Sequence, residues 1–94
     1  MVVIDQKSWS WTLFQNESGM YLSVVCGTFA VFEVDIELTD TEVTSFKTFG
    51  RTFIDELANS VSFSPASYSH RKSNFRNEYD LSIAISKWHV REKS

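Results

Sequence analysis

The run Phe29 to Leu38 alternates strictly and then changes period within four residues. Ala30, Phe32, Val34, Ile36 and Leu38 fall on one side, and Phe29, Val31, Glu33, Asp35 and Glu37 on the other, the spacing of a β-strand. At Thr39 the pattern turns helical. Thr39 can cap the first turn and Glu42, three residues on, can return the bond to complete a capping box, with Asp40 and Glu42 at the positive end of the helix dipole. Val43, Phe46, Phe49, Phe53, Ile54, Leu57 and Val61 then recur at three- and four-residue spacing, an apolar stripe suited to lying on a sheet. A strand that runs without a linker into an amphipathic helix restricts the chain to an α+β arrangement, a sheet with a helix laid across it. The predicted helix covers about 23 residues and roughly 34 Å, long enough to cross three strands, and Ser64-Pro65 ends it.

Upstream, the aromatic and β-branched content of Ser8 to Gln15 predicts a first strand. Asn16-Glu17-Ser18-Gly19 reads as a hairpin loop into a second strand at Met20 to Cys26, with Gly27-Thr28 as the next turn. Two short connections in succession predict a three-stranded antiparallel meander. The third strand, from its alternation, is expected to be buried on both faces in its first half and on one in its second. Gly50 interrupts the helical stripe at a cost of roughly 1 kcal/mol relative to alanine, which suggests close approach to the sheet. Pro65 to Asn77 reads as an extended crossing segment anchored by Tyr68 and Phe75. Residues 80–92 fit either a strand or a helix. The helix is preferred because Asp80 could cap it and Lys87, Arg91 and Lys93 suit its C-terminal end. The expected architecture is one domain over residues 1–94, a two-layer sandwich with a three-stranded meander covered by one long helix and closed by a C-terminal helix. Its expected core is Leu13, Leu22, Val24, Phe32, Val34, Ile36, Phe46, Phe53, Ile54 and Leu57.

Composition narrows the chemistry. At 94 residues such a domain buries about 60 to 65% of its unfolded surface, which leaves little room for an enclosed substrate chamber. The lone Cys26 cannot form an internal disulfide, and after Val24-Val25 it reads as a buried, inert thiol. No apolar run approaches the roughly 20 residues of a membrane span, and Asp5-Gln6-Lys7 follows the opening Met-Val-Val-Ile, so no signal peptide is expected and the protein is placed in the cytoplasm. His70 and His89 sit among basic residues with no orienting group, and no cysteine or histidine pair has metal-ligand spacing. No catalytic residue, cofactor or metal is expected. The interleaved aromatics and bases of Tyr68 to Arg76 could track a nucleic-acid backbone, but the net charge of −3 opposes phosphate.

What stands out is charge. Met1 to Ser62 carries nine acids against three bases, and the remainder carries six bases against three acids. Glu33, Asp35, Glu37, Asp40 and Glu42 place five acids in ten residues with no base among them. Such a row is either a solvated sheet edge that discourages strand addition or a negative patch that docks a basic protein.

The order of Leu22-Ser23-Val24-Val25-Cys26-Gly27-Thr28, then Phe32 through Val43, a glycine-interrupted helix, Pro65, Tyr68, Arg71 and Ala84-Ile85-Ser86-Lys87-Trp88 resembles small immunity proteins of bacterial toxin and immunity systems, including contact-dependent growth inhibition. The resemblance implies a cytoplasmic, non-catalytic protein that binds and neutralises a cognate toxin, often a nuclease with a basic cleft. The acids Glu33, Asp35, Glu37, Asp40 and Glu42 are the candidate partner-binding residues. The alternatives are a self-associating structural or scaffold domain that forms a homodimer through exposed aromatics, and a small nucleic-acid-binding protein.

Overall fold

The computed structural model describes residues 1–27, 31–75 and 81–93. These form a four-stranded antiparallel sheet in the order β1-β2-β3-β4. The strands are β1 (Val2–Lys7), β2 (Trp11–Asn16), β3 (Gly19–Cys26) and β4 (Phe32–Glu37); the helices are α1 (Asp40–Phe49), α2 (Arg51–Phe63), a 3-10 helix (Pro65–Arg71) and α3 (Leu81–Lys93). The α+β class and the meander of β2, β3 and β4 agree with the sequence reading.

The strand β1 was not expected. Its pairing with β2 slips between Val3 and Asp5, so that Asp5, opposite Leu13, falls on the same face as Ile4, and this bulge erases the period of two that betrays a strand. The expected first strand starts late: Ser8, Trp9 and Ser10 form the β1–β2 turn, closed by the Ser10 N–H donating to the Lys7 carbonyl at 3.0 Å.

Residues of adjacent parity in β2 and β3 are buried on opposite faces. Trp11, Leu13, Leu22, Val24, Val34 and Ile36 pack beneath Ile54, Leu57, Ala58 and Val61 of α2. Phe14 and Tyr21 point the other way, with Val3, onto Phe75, Leu81 and Ala84. The Phe75 ring lies 5.7 Å from Phe14 and 5.0 Å from Tyr21, centroid to centroid. Helices therefore lie on both faces, and the expected two-layer sandwich is corrected to three layers, because β2 and β3 carry apolar side chains at both parities and each set needs cover.

The long helix is two helices. Gly50 has φ 68° and ψ −145°, a backbone region that side-chain-bearing residues avoid, and a Cβ there would meet open space. The glycine allows the break and does not make room for the sheet. Consequently α1 contributes no buried residue and touches the core through half-buried Val43 and Phe46, while α2 supplies the packing; Phe53 is also half-buried.

Of the expected core, Phe32 is 47% exposed, as is neighbouring Val31 at 69%, so the start of β4 is not buried on both faces. The expected strand residues Phe29 and Ala30 lie outside the described residues. Residues 65–71 coil into the 3-10 helix instead of running extended, yet the two expected anchors hold: Tyr68 packs against the first core and Phe75 is fully buried. The C-terminal segment is a helix, as preferred; its proposed cap Asp80 lies outside the described residues.

Candidate protein-docking surface

The acids of β4 form a row because residues two apart share a face. Glu33, Asp35 and Glu37 sit opposite Val25, Ser23 and Tyr21, hence on the α3 side of the sheet, spread over about 13 Å of strand. Glu33 and Glu37 are exposed and Asp35 is half-buried. Asp40 is exposed in the first turn of α1.

Glu42 does not belong to this surface. Its carboxylate accepts from the Thr39 N–H at 2.9 Å while its own N–H donates to Thr39 Oγ1 at 3.2 Å, the expected capping box. Both carboxylate oxygens also accept from Arg71, one at 3.1 Å and the other through Nη2, and that Nη2 donates at 3.1 Å to the Glu37 carbonyl. Burial by itself would raise the Glu42 carboxyl, but the bonds from Arg71 and Thr39 and the guanidinium charge outweigh it and hold the group below its ordinary value of 4.5. The same bond raises Arg71. A side chain this committed cannot reach a partner without losing a bidentate ion pair.

The base that neutralises Glu42 also tempers the row. Arg71 sits at its Glu37 end, and the following residues run along the outer edge of β4, with Lys72 bridging Ile36 and the Ser73 N–H donating to the Asp35 carbonyl at 2.8 Å. The negative charge expected across all five acids is thereby reduced at its Glu37 end. At the other end the exposed Val31 and Phe32 precede Glu33; Phe32 has the parity of Val34 and Ile36 and so lies on the opposite face of the sheet from the acids.

A further exposed aromatic stands at the same end of the sheet. The β1–β2 turn is tied to β3, where the Val25 N–H donates to the Ser10 carbonyl at 2.8 Å. The turn carries Trp9, which is 92% exposed and has φ 63°. Sequence reasoning missed it by placing Trp9 and Trp11 in one strand. Two serines flanking an aromatic between apolar runs were the available sign of a turn.

The remaining chemistry is sparse. Cys26 is buried, and burial raises its thiol. His70 and His89 are exposed. Among the described residues, no group of three or more histidine, cysteine or carboxylate side chains could hold a metal ion, and no helix is long and apolar enough to cross a membrane. A depression of about 550 Å³ lined by Met1, Val2 and Gln15 to Ser18 offers one carboxylate, Glu17. In the Tyr68 to Arg76 segment Tyr68 is half-buried, Phe75 is buried and Arg71 is bound to Glu42, while His70 and Lys72 are exposed. Arg76 lies outside the described residues.

Comparison with known protein families, with curated proteins and with solved structures finds no match to this chain. The functional reading accordingly stands on the surface itself.

Proposed function

We propose that this chain is a non-catalytic binding protein that docks a basic protein domain, and that it acts as the immunity partner of a bacterial toxin, as its resemblance to that class implies. The observation that carries the reading is the junction at the start of β4, where exposed Val31 and Phe32 run directly into the acidic row that begins at Glu33. Apolar side chains provide burial and a flanking charge of one sign provides steering, the division of labour found at protein interfaces.

The first test is the neighbouring gene: a large secreted protein with a variable C-terminal domain supports the reading and supplies that domain as the probe, whereas an unrelated metabolic operon counts against it. Co-expression should relieve the growth arrest that this domain causes, and the two purified proteins should associate. Replacing Glu33 and Glu37, both exposed, by lysine should slow association by about tenfold or more and flatten its salt dependence, while leaving the melting temperature nearly unchanged. An unaltered association rate in the folded variant would remove the acidic row from the interface. Self-association is the second reading, favoured by the 90% exposure of Phe63 at the end of α2. A concentration-independent dimer in light scattering would favour it over the first.

A further inference from the structure

We infer that the outer face of α2 is the contact of a reversible dimer, in which Phe63 of each copy enters the depression between α1 and α2 of the other. The inference takes up the exposure of Phe63 noted above. It does not rest on the basic-partner reading, because the acidic row lies on the other side of the sheet from α2.

The helix period sets the face. Ile54, Leu57, Ala58 and Val61 turn α2 toward the sheet. Thr52, Glu56, Asn59 and Phe63, spaced by four, three and four, form the stripe on the opposite side, and all four are exposed. That spacing is the seam along which two helices pack. Phe63, 90% exposed at the end of the stripe, contributes nothing to the core of its own chain.

The break at Gly50 supplies the other half of the contact. At the junction it makes between α1 and α2 lies a depression of about 400 Å³, lined by Ser45 and Phe49 on one side and by Thr52, Phe53 and Glu56 on the other. Phe49 is 68% exposed and Phe53 half-buried. The chain's own Phe63 cannot fill this space, since it stands about 16 Å further along the helix than Thr52.

A second copy can. With two α2 helices antiparallel about a two-fold axis between Leu57 and Ala58, Phe63 of each stands over Thr52 of the other, and Asn59 of each stands beside Glu56 of the other. The Asn59 amide then donates to the Glu56 carboxylate; within the chain, neither side chain bonds to another described residue. The parallel arrangement sets Glu56 against Glu56 and leaves both depressions empty. The two exposed phenyl groups hold about 300 Å² per copy, or about 600 Å² across the pair. With the polar residues of the stripe added, the contact falls at the small end of specific interfaces, below about 1,200 Å², the size of a dimer that dissociates on dilution.

The experiment follows oligomeric state by light scattering and sedimentation between about 1 µM and 1 mM, where wild type should dimerise with a dissociation constant of about 10–100 µM. Phe63→Ser and Phe49→Ser should each weaken the dimer by at least about tenfold. Because both rings are exposed, each variant should melt within about 3 °C of wild type. An equimolar mixture of the two should associate more tightly than either alone: the Phe49→Ser copy keeps its Phe63, the Phe63→Ser copy keeps its depression, and one intact contact is restored. The Glu33→Lys, Glu37→Lys variant, altered across the sheet, should dimerise as wild type does. A wild type still monomeric at about 1 mM would overturn the dimer. A mixture no tighter than the single variants would overturn the entry of Phe63 into the depression, and so would a melting temperature lowered by more than about 5 °C in either single variant, since that ring would then belong to its own fold. Dimerisation lost in the lysine variant would move the contact to the acidic side. The docking of a basic protein is read separately, from association with that protein, and survives any of these failures.

Discussion

The two edges of the sheet are closed by the same device at different depths. On β1, Arg51 donates to the Gln6 carbonyl at 3.1 Å and to Asp5 at 3.4 Å. On β4, Arg71 donates to the Glu37 carbonyl and grips Glu42 with two nitrogens. Each arginine occupies an outward carbonyl that would otherwise invite another strand. The β1 pair leaves the arginine side chain 50% exposed, whereas the β4 pair is 21% and 17% exposed. The β4 clamp is continued by the Ser73 bond to Asp35 and by the fully buried Phe75, while Arg51 stands as a single side chain over Trp11. An identical chemical solution therefore carries very different energetic weight, because solvent screens one pair and the fold shields the other.

That contrast is open to direct attack. Phe75→Ala should be the most damaging change, at about 3–5 kcal/mol in urea denaturation, because it empties the space between Phe14 and Tyr21 and releases the segment that covers β4. A loss under about 1 kcal/mol would mean that this segment is not what holds the edge. Arg71→Met should cost about 2 kcal/mol, less than a fully buried pair, by leaving the Glu42 carboxylate uncompensated. Adding Glu42→Leu to it should recover part of the loss, and a double variant weaker than either single one would contradict the ion-pair account.

Acid provides a third measure. The Glu42 carboxyl is held below 4.5 in the folded protein, so its stabilising contribution is present above that value and is lost as the pH falls through the lower, folded one. Wild type should therefore lose stability on acidification below about pH 4.5 more steeply than Arg71→Met, as followed by urea midpoints across the pH range. Equal slopes would mean that Arg71 does not set the Glu42 titration. The smallest effect should come from Arg51→Met, about 0.5 to 1 kcal/mol including its contact with Trp11, and it should shrink further in high salt. A loss matching that of Arg71→Met would erase the distinction between the edges.

Much of this architecture was legible beforehand where a signal is local. The capping box at Thr39 and Glu42, the hairpin at Asn16 to Gly19 and the buried faces of β3 and α2 all follow from spacing, and each is present. Where the signal depends on what lies opposite, the reading failed. The bulge between Val3 and Asp5 hid β1, and the alternation through Val31 and Phe32 suggested burial at a strand end that no described residue covers. Gly50 was recognised as unusual, but its reason is a backbone angle and not a close neighbour. The candidate surface divides in the same way: the acidic row is visible in the sequence, whereas the withdrawal of Glu42 from it and the prominence of Trp9 are not.

The sequence by itself determined the α+β class, the capped start of α1 and the shared face of Glu33, Asp35 and Glu37, because these depend on residue periodicity and on bonds spanning three or four positions; between the strand and the helix that residues 80–92 both fit, it gave a preference only. Only the tertiary structure decided that Arg71 reaches back 29 residues to Glu42, that helices cover both faces of the sheet, and that Trp9 is left in solvent on the β1–β2 turn. Those outcomes depend on which distant segments meet. Charge and hydrophobicity along a chain show what each residue needs, but not which partner, if any, the fold brings to it.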